Sequence, residues 1–284
     1  MNIIKDENEL TPVEIHNDLY LKRDDLYKPF GDYSVNGGKL RQCYKLIENI
    51  YKDYSGVISC CSIYSPQAPI TSAVAKHFNL KAVICYGATK PDRLENLPMP
   101  LISKEFGAEL RIISKSGIHK ILYNKAKQIA SEEDLFVVDY GFNITKYPDI
   151  MYSAISNQVQ NIPDYLDNLV ITCGSGITTI GILLGIKQFN KKVKNIYLVA
   201  TAPNREKLIK NNLFLYGIFP EFKIIDLFHK KNFHYEDELY EEIDGIELHP
   251  NYEAKTYNWL KNNIDFHKEK TLLWIVGAKP KLKE

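Results

Sequence analysis

Four short segments carry the residues best suited to chemistry. In LYLKRDDLYKPFGDYSVNGGKLRQ, Lys39 follows Gly37 and Gly38 and opens the helical stretch LRQCYKLIENIY. An ammonium at that place meets the positive end of a helix dipole, which disfavours its protonated form. The glycines let other atoms approach the backbone closely. Both conditions suit a lysine that must form an imine, although a solvated lysine at an ordinary helix start shares them. The second segment, NLVITCGSGITTIG, reads as a strand, a Gly174-Ser175-Gly176 turn and a helix beginning at Ile177. Backbone N–H groups of such a turn point at an anion such as phosphate, and the helix dipole adds to the attraction. Ser175, Thr178 and Thr179 add hydroxyl donors. The GK[ST] of a Walker loop and the full GxGxxG fingerprint are both absent, and a plain tight strand–helix turn has the same pattern.

The third segment is CSIYSPQAP, where Ser65 falls between a strand and a helix. N–H groups there could take a carboxylate, and N-capping alone also explains the serine. The fourth, LHPNYEAKTYNWL, places Tyr252 and Glu253 at a helix start after Pro250. An acidic residue in a first turn is common for dipole reasons alone.

The elements that must position these groups alternate strand and helix from residue 56 onward. GVISCC, KAVICYG, AELRIIS and LFVVDYG read as strands. Between them lie helical patterns at PQAPITSAVAKHFN, LISKEFG and HKILYNKAKQIASEE. The pattern resets near residue 150 with YSAISNQVQNI as a helix. NLVITCGSG, KNIYLVATAP and TLLWIVGA follow as strands, with helices at ITTIGILLGIKQF, NREKLIKNN and NYEAKTYNWLKNN. The stretch from Phe214 to Asp244 reads only as short strands and charged turns. Repeated β–α of this kind predicts an α/β protein of two lobes, each with a mostly parallel sheet covered by helices, and a boundary near residue 145.

Composition narrows the function classes. The chain has 284 residues, 45% hydrophobic and 25% charged, which excludes wholesale disorder, collagen and simple coiled coil. Its 36 basic and 35 acidic side chains give a net charge of +1, so no global field recruits nucleic acid or anionic lipid. A local patch stays open. The five cysteines include no CxxC pair and read as reduced, buried thiols. The seven histidines show no zinc spacing, and no metal is expected. MNIIKDENEL lacks the pattern of a signal peptide, and no apolar run approaches the roughly 20 residues of a membrane span. The expectation is a soluble, cytoplasmic protein.

Taken in order, the four segments resemble the fold-type-II pyridoxal-phosphate enzymes (tryptophan synthase β-like). Within them the chain is similar to the 1-aminocyclopropane-1-carboxylate deaminase and D-cysteine desulfhydrase family. The family's "KRED…GGNKxRK" is here Lys22-Arg23-Asp24-Asp25 and Gly37-Gly38-Lys39-Leu40-Arg41. Its "SNQ" is Ser65-Pro66-Gln67, its "TGS" is Cys173-Gly174-Ser175-Gly176, and its "DPVYEGK" is His249-Pro250-Asn251-Tyr252-Glu253-Ala254-Lys255. The match runs collinearly through nearly the whole chain. The resemblance implies that Lys39 carries the cofactor and later moves the α-proton, and that the Gly174–Thr179 turn holds the cofactor phosphate. It implies that Glu253 faces the pyridine nitrogen, that Tyr252 acts as an acid or base near the substrate, and that Ser65 binds or acts beside the substrate carboxylate. It also implies a large cofactor-binding domain of residues 1–45 and 146–284, a small domain of residues 46–145 that closes over the site, and a homodimer.

Three departures qualify the likeness. Gly38 replaces the asparagine before the lysine. Pro66 replaces the asparagine expected at the cofactor ring oxygen, so that this hydrogen bond either passes to Gln67 or is not made. The family's "SDHPLGGLGY" substrate loop is here NITKYPDIMYSAI from Asn143, without its glycines and bulkier at Asp149, Met151 and Tyr152. The cofactor side therefore matches better than the substrate side. The first expectation is a pyridoxal-phosphate enzyme acting at Cα of a small amino-acid-like amine, with deaminase or lyase chemistry. The second is a decarboxylase or lyase acting on an aminoacyl group attached to a modified nucleic-acid base. The basic run from Lys187 to Lys194 and the cluster Arg205, Lys207, Lys210 accord with it, and equally with solvated helix faces. The third is a non-catalytic binder of the cofactor or of an amino acid.

Overall fold

A computed structural model describes residues 4–31, 35–142, 147–229 and 237–282. The chain divides into two compact units, Met1–Tyr27 with Tyr152–Lys279, and Lys28–Met151 with Pro280–Glu284. Of the expected domain limits, the one at 145–146 lies outside the described residues, as do the first four residues of the altered loop from Asn143. The Lys39 helix belongs to the second unit, whereas the family resemblance carries residues 1–45 with the first.

The first unit opens with strands β1 (Val13–His16) and β2 (Leu19–Arg23). The second unit holds α1 (Gly38–Ile50), β3 (Gly56–Cys60), α2 (Gln67–His77), β4 (Lys81–Gly87), α3 (Pro91–Asn96), α4 (Pro98–Glu105), β5 (Glu109–Ser114), α5 (His119–Glu133) and β6 (Leu135–Val138). Helix α6 (Pro148–Ser156) runs across the division. The first unit resumes with β7 (Tyr165–Cys173), α7 (Ile177–Gln188), β8 (Lys192–Ala200), α8 (Glu206–Leu215), β9 (Lys223–Asp226), the hairpin β10 (Glu242–Ile243) and β11 (Ile246–Glu247), α9 (Glu253–Asn263) and β12 (Thr271–Ile275).

The sheet of the first unit runs β1-β2-β12-β7-β8-β9, parallel except for the β1–β2 pair. The sheet of the second unit runs β5-β4-β3-β6 and is parallel throughout. Every strand and helix segment expected from the sequence after residue 56 is present as its expected type. The β1–β2 hairpin and α3 have no counterpart among those expectations. Within the difficult stretch, Asp244 and Gly245 both take positive φ (49° and 80°), the backbone of a two-residue hairpin turn.

Two features fix the cofactor-side elements. Helix α7 is apolar on nearly every side because it is buried on nearly every side. Its Gly181 and Gly185, one turn apart, let it lie close against α6 and the turn that follows. A Cβ would meet Ile155 Cβ at 2.8 Å from Gly181 and the Ser156 carbonyl at 2.5 Å from Gly185. The run Lys22-Arg23-Asp24-Asp25 is buried throughout, which four consecutive charges tolerate only when each is partnered. Lys22 Nζ donates to the Thr11 carbonyl (2.6 Å) and Asn161 Oδ1 (2.7 Å), and Arg23 forms a two-pronged pair with Asp25 (2.9 and 2.8 Å). Asp24 accepts from the Trp274 indole and the Thr11 hydroxyl, both at 2.9 Å. This network ties β2 to β12 and is a structural part of the fold.

Candidate active site

In the first unit, β7 ends at Cys173 and α7 begins at Ile177, leaving Gly174-Ser175-Gly176 as the turn. Gly176 is the N-cap of α7 with φ 88°, a left-handed backbone that glycine takes without strain. N–H groups in the first turn of any α-helix have no acceptor within the helix. Here they belong to Ile177, Thr178 and Thr179, all buried, while Gly174 and Ser175 are half-buried. A Cβ on Gly174 would come within 3.7 Å of the Tyr252 ring, so this turn and the start of α9 are neighbours. The Tyr252 ring also packs edge-on against His249 at 4.7 Å.

Glu253 is the first residue of α9 and is 2% exposed. Its Oε1 accepts a hydrogen bond from Val276 N at 3.1 Å, just past the end of β12. Thr172 and Thr256 join β7 to α9 through their hydroxyls at 2.8 Å. One turn of helix thus delivers a half-buried phenol and a buried carboxylate beside a glycine turn of anion-binding type. Lys255 is also buried, and desolvation holds its ammonium below the usual lysine value against the opposing pull of Asp237. The structure therefore brings together Gly174, Ser175, Gly176, Ile177, Thr178, Thr179, Tyr252 and Glu253.

The remaining candidates lie in the second unit. Lys39 is half-buried in the first turn of α1, whose N-cap Gly37 has φ 88°. Cys43, one turn further on, lies against Thr71, one turn into α2. The Tyr51 and Phe78 rings meet at 5.0 Å where the two helices end, so α1 and α2 run in the same direction and Lys39 and Gln67 start them at the same end. Ser65 Oγ accepts from Gln67 N at 3.3 Å, the plain capping role. The Gln67 amide donates to Ser59 Oγ and the Asp139 carbonyl, each at 2.9 Å, and accepts from Gly141 N at 2.7 Å. With both amide hydrogens engaged, Gln67 ties β3 and α2 to the chain after β6. To take over the hydrogen bond that an asparagine at position 66 would make, Gln67 would have to give up one of these two donated bonds.

The basic stretches are partly committed within the fold. Lys191 pairs with Asp164 at 2.7 Å and Lys210 with Glu206 at 2.6 Å. Among the described residues no group of His, Cys, Asp and Glu is arranged to hold a metal. No helix there is long and apolar enough to cross a membrane. All five cysteines are buried and outside any disulfide. Burial raises the thiols of Cys60 and Cys85 to about 12.

A parallel α/β unit with a strand–glycine turn–helix, hydroxyls in the first helical turn and a buried carboxylate nearby has the donor set that pyridoxal 5'-phosphate requires. These features fit the fold-type-II pyridoxal-phosphate enzymes that the sequence resembles. The comparisons agree: residues 8–216 match the family described as "Pyridoxal-phosphate dependent enzyme", and the chain belongs to that family. It is 27% identical to the "O-seryl-dTMP PLP-dependent decarboxylase" of Salmonella phage ViI, over 94% of this chain and 80% of the relative. It is 24% identical to the 1-aminocyclopropane-1-carboxylate deaminase of Cyberlindnera saturnus, over 72% of this chain and 65% of that relative, just under two thirds of its length. Among solved structures, an ACC deaminase homologue superposes with a TM-score of 0.74 at 22% identity, covering 99% of this chain and 93% of the other. The protein is a pyridoxal-phosphate-dependent enzyme with relatives of deaminase and decarboxylase type.

Proposed function

We propose that this enzyme decarboxylates an aminoacyl group carried on a nucleotide, of the kind named for its phage relative, in preference to deaminating a free amino acid. One observation carries the reading. Similarity to the phage decarboxylase extends over 94% of the chain, whereas similarity to the Cyberlindnera deaminase stops at 72%. The altered substrate segment supports it, because the glycines of the deaminase loop are replaced by bulk at Asp149, Met151 and Tyr152.

When bound, pyridoxal phosphate supplies an electron sink for the pair left as a bond to Cα breaks. In this reading Lys39 holds the cofactor and the Gly174–Thr179 turn takes its phosphate. The Glu253 carboxylate would stand by the pyridine nitrogen and would favour its protonated form. The bond from Cα to the carboxylate breaks, CO2 leaves, and Lys39 or Tyr252 returns a proton to Cα, so that a primary amine remains. Ser65 stands as the candidate partner for the substrate carboxylate. We further propose a cytoplasmic homodimer. The family resemblance supports the dimer, and five buried cysteines outside any disulfide support a reducing compartment.

The test is to incubate the cofactor-loaded enzyme with seryl-bearing thymidine nucleotide, with DNA containing it, and with free D- and L-amino acids. Mass spectrometry is expected to show loss of CO2 from the nucleotide adducts and no 2-oxo acid from the free amino acids. Ammonia and 2-oxo acid from a free amino acid would replace this reading with the deaminase one, and spectral change without product would replace it with a binding protein.

A further inference from the structure

The connection from β8 to α8 runs beside the glycine turn and carries two buried polar atoms with no hydrogen-bond partner among the described residues, Thr201 Oγ1 and Arg205 Nε. Thr201 is 3% exposed, and its N–H donates to the Cys173 carbonyl at 3.2 Å, extending the β7–β8 ladder by one step. Strand alternation fixes its face. Thr172 points at Thr256 on α9, and its register partner Val199 packs in the same core as Ala254. Two residues on, Gly174 faces Tyr252, and continuing the same alternation puts the Thr201 side chain on that side. The root of the Arg205 side chain lies at the other end of the turn, since a Cβ on Gly176 would lie 3.3 Å from Arg205 Cβ. Buried polar atoms without partners are costly unless a ligand completes them. The turn itself offers only neutral donors, while a phosphate monoester carries up to two negative charges and favours a guanidinium.

We propose that the Thr201 hydroxyl and the Arg205 guanidinium complete the phosphate-monoester seat begun by the Gly174–Thr179 turn. The proposal rests on the reading of that turn as a phosphate site and adds to it a second wall that includes a cationic group. The same chemistry could be brought by the cofactor or by a nucleotide, and the arms of the test separate them.

The experiment titrates apo-protein with pyridoxal phosphate, pyridoxal and thymidine 5'-phosphate. Binding is followed by cofactor absorbance or calorimetry, and folding by thermal melting. Arg205→Ala is expected to weaken pyridoxal phosphate by about tenfold to a hundredfold and pyridoxal by less than about twofold. Arg205→Lys is expected to fall between Arg205→Ala and the parent. Thr201→Val, which keeps the shape, is expected to lose about threefold to tenfold for the phosphorylated ligand alone. A loss confined to thymidine 5'-phosphate would also support the seat and assign it to the nucleotide. Equal losses for pyridoxal and its phosphate, or no loss in Arg205→Lys and Thr201→Val, would overturn it. Thr178→Val separates the two layers of the argument. If it weakens pyridoxal phosphate selectively and the Thr201 and Arg205 variants do not, the turn stands and the second wall falls. If it has no selective effect, the reading of the turn fails as well.

Discussion

Each unit has a place where a central parallel strand gives way to a helix, and the two places are built to opposite ends. After β7 the connection is Gly-Ser-Gly with a left-handed cap, and the first-turn N–H groups of α7 are presented beside Tyr252 and Glu253. After β3 the connection leads into Ser65-Pro66-Gln67. Proline brings no N–H, the serine hydroxyl caps Gln67, and the Gln67 amide is bonded three ways inside its own unit. The same strand-to-helix geometry thus leaves first-turn N–H groups of anion-binding type in one unit and is tied up by internal bonds in the other. The departures from the deaminase pattern at Gly38 and Pro66 both fall in the second unit.

The largest effect that would break this contrast is at Lys39. It lies in the second unit, yet its assigned role is towards the cofactor and not towards cohesion. Lys39→Ala is expected to abolish covalent attachment of pyridoxal phosphate altogether, while melting within a few degrees of the parent protein. Borohydride reduction followed by peptide mapping checks it. Attachment to another lysine, or undiminished attachment in the variant, would remove Lys39 from the chemistry.

Gln67 comes next. Gln67→Ala removes two donated bonds and one accepted bond and leaves the buried Gly141 N–H without its acceptor. A cost of about 2–4 kcal/mol is expected, from the missing bonds and the stranded buried groups. Urea denaturation measures it. The cofactor affinity of the folded fraction is expected to hold within about threefold. Reduced affinity at unchanged stability would make Gln67 a ligand after all and would erase the difference between the units.

How far the sequence discloses all this follows the same division. Hydrophobic period and glycine turns act locally, so the β–α alternation and the Gly174–Gly176 turn are legible along the chain, as is the helix start at Glu253. The β1–β2 hairpin is not, because its strands are four and five residues long and the second carries Lys22 and Arg23. Charges inside a strand look like solvent-facing residues until a partner such as Asn161, 139 positions from Lys22, is known. The bonds of Gln67 to Asp139 and Gly141 span more than 70 positions and leave no local mark. Thr201 escapes notice as a ligand candidate for the same reason, and Arg205 stands out only as one of the basic cluster with Lys207 and Lys210, since only the β7–β8 ladder sets them beside the turn. An Asn-Arg-Glu sequence at a helix start could draw attention to Arg205, but by itself it indicates only capping and a solvated cation.

Ser65 gives the smallest effect and the sharpest reading of the contrast, because both of its roles would be played by one hydroxyl. As a cap it accepts from Gln67 N at 3.3 Å, a long bond for this purpose. Ser65→Ala is therefore expected to cost only about 0.5–1 kcal/mol, the lower part of the range for removed N-caps. If cohesion is its whole role, the KM for the aminoacyl substrate changes by less than about threefold, because no charge-assisted bond to the carboxylate is removed. A rise in KM of about tenfold or more, with melting unchanged, would show the hydroxyl turned to the substrate. It would then give the second unit a ligand-binding group of its own, at the position where the deaminase pattern expects one. Ser65→Thr keeps the hydroxyl and is expected to restore the cap. Its KM therefore tells whether the oxygen itself or the space around it is what matters.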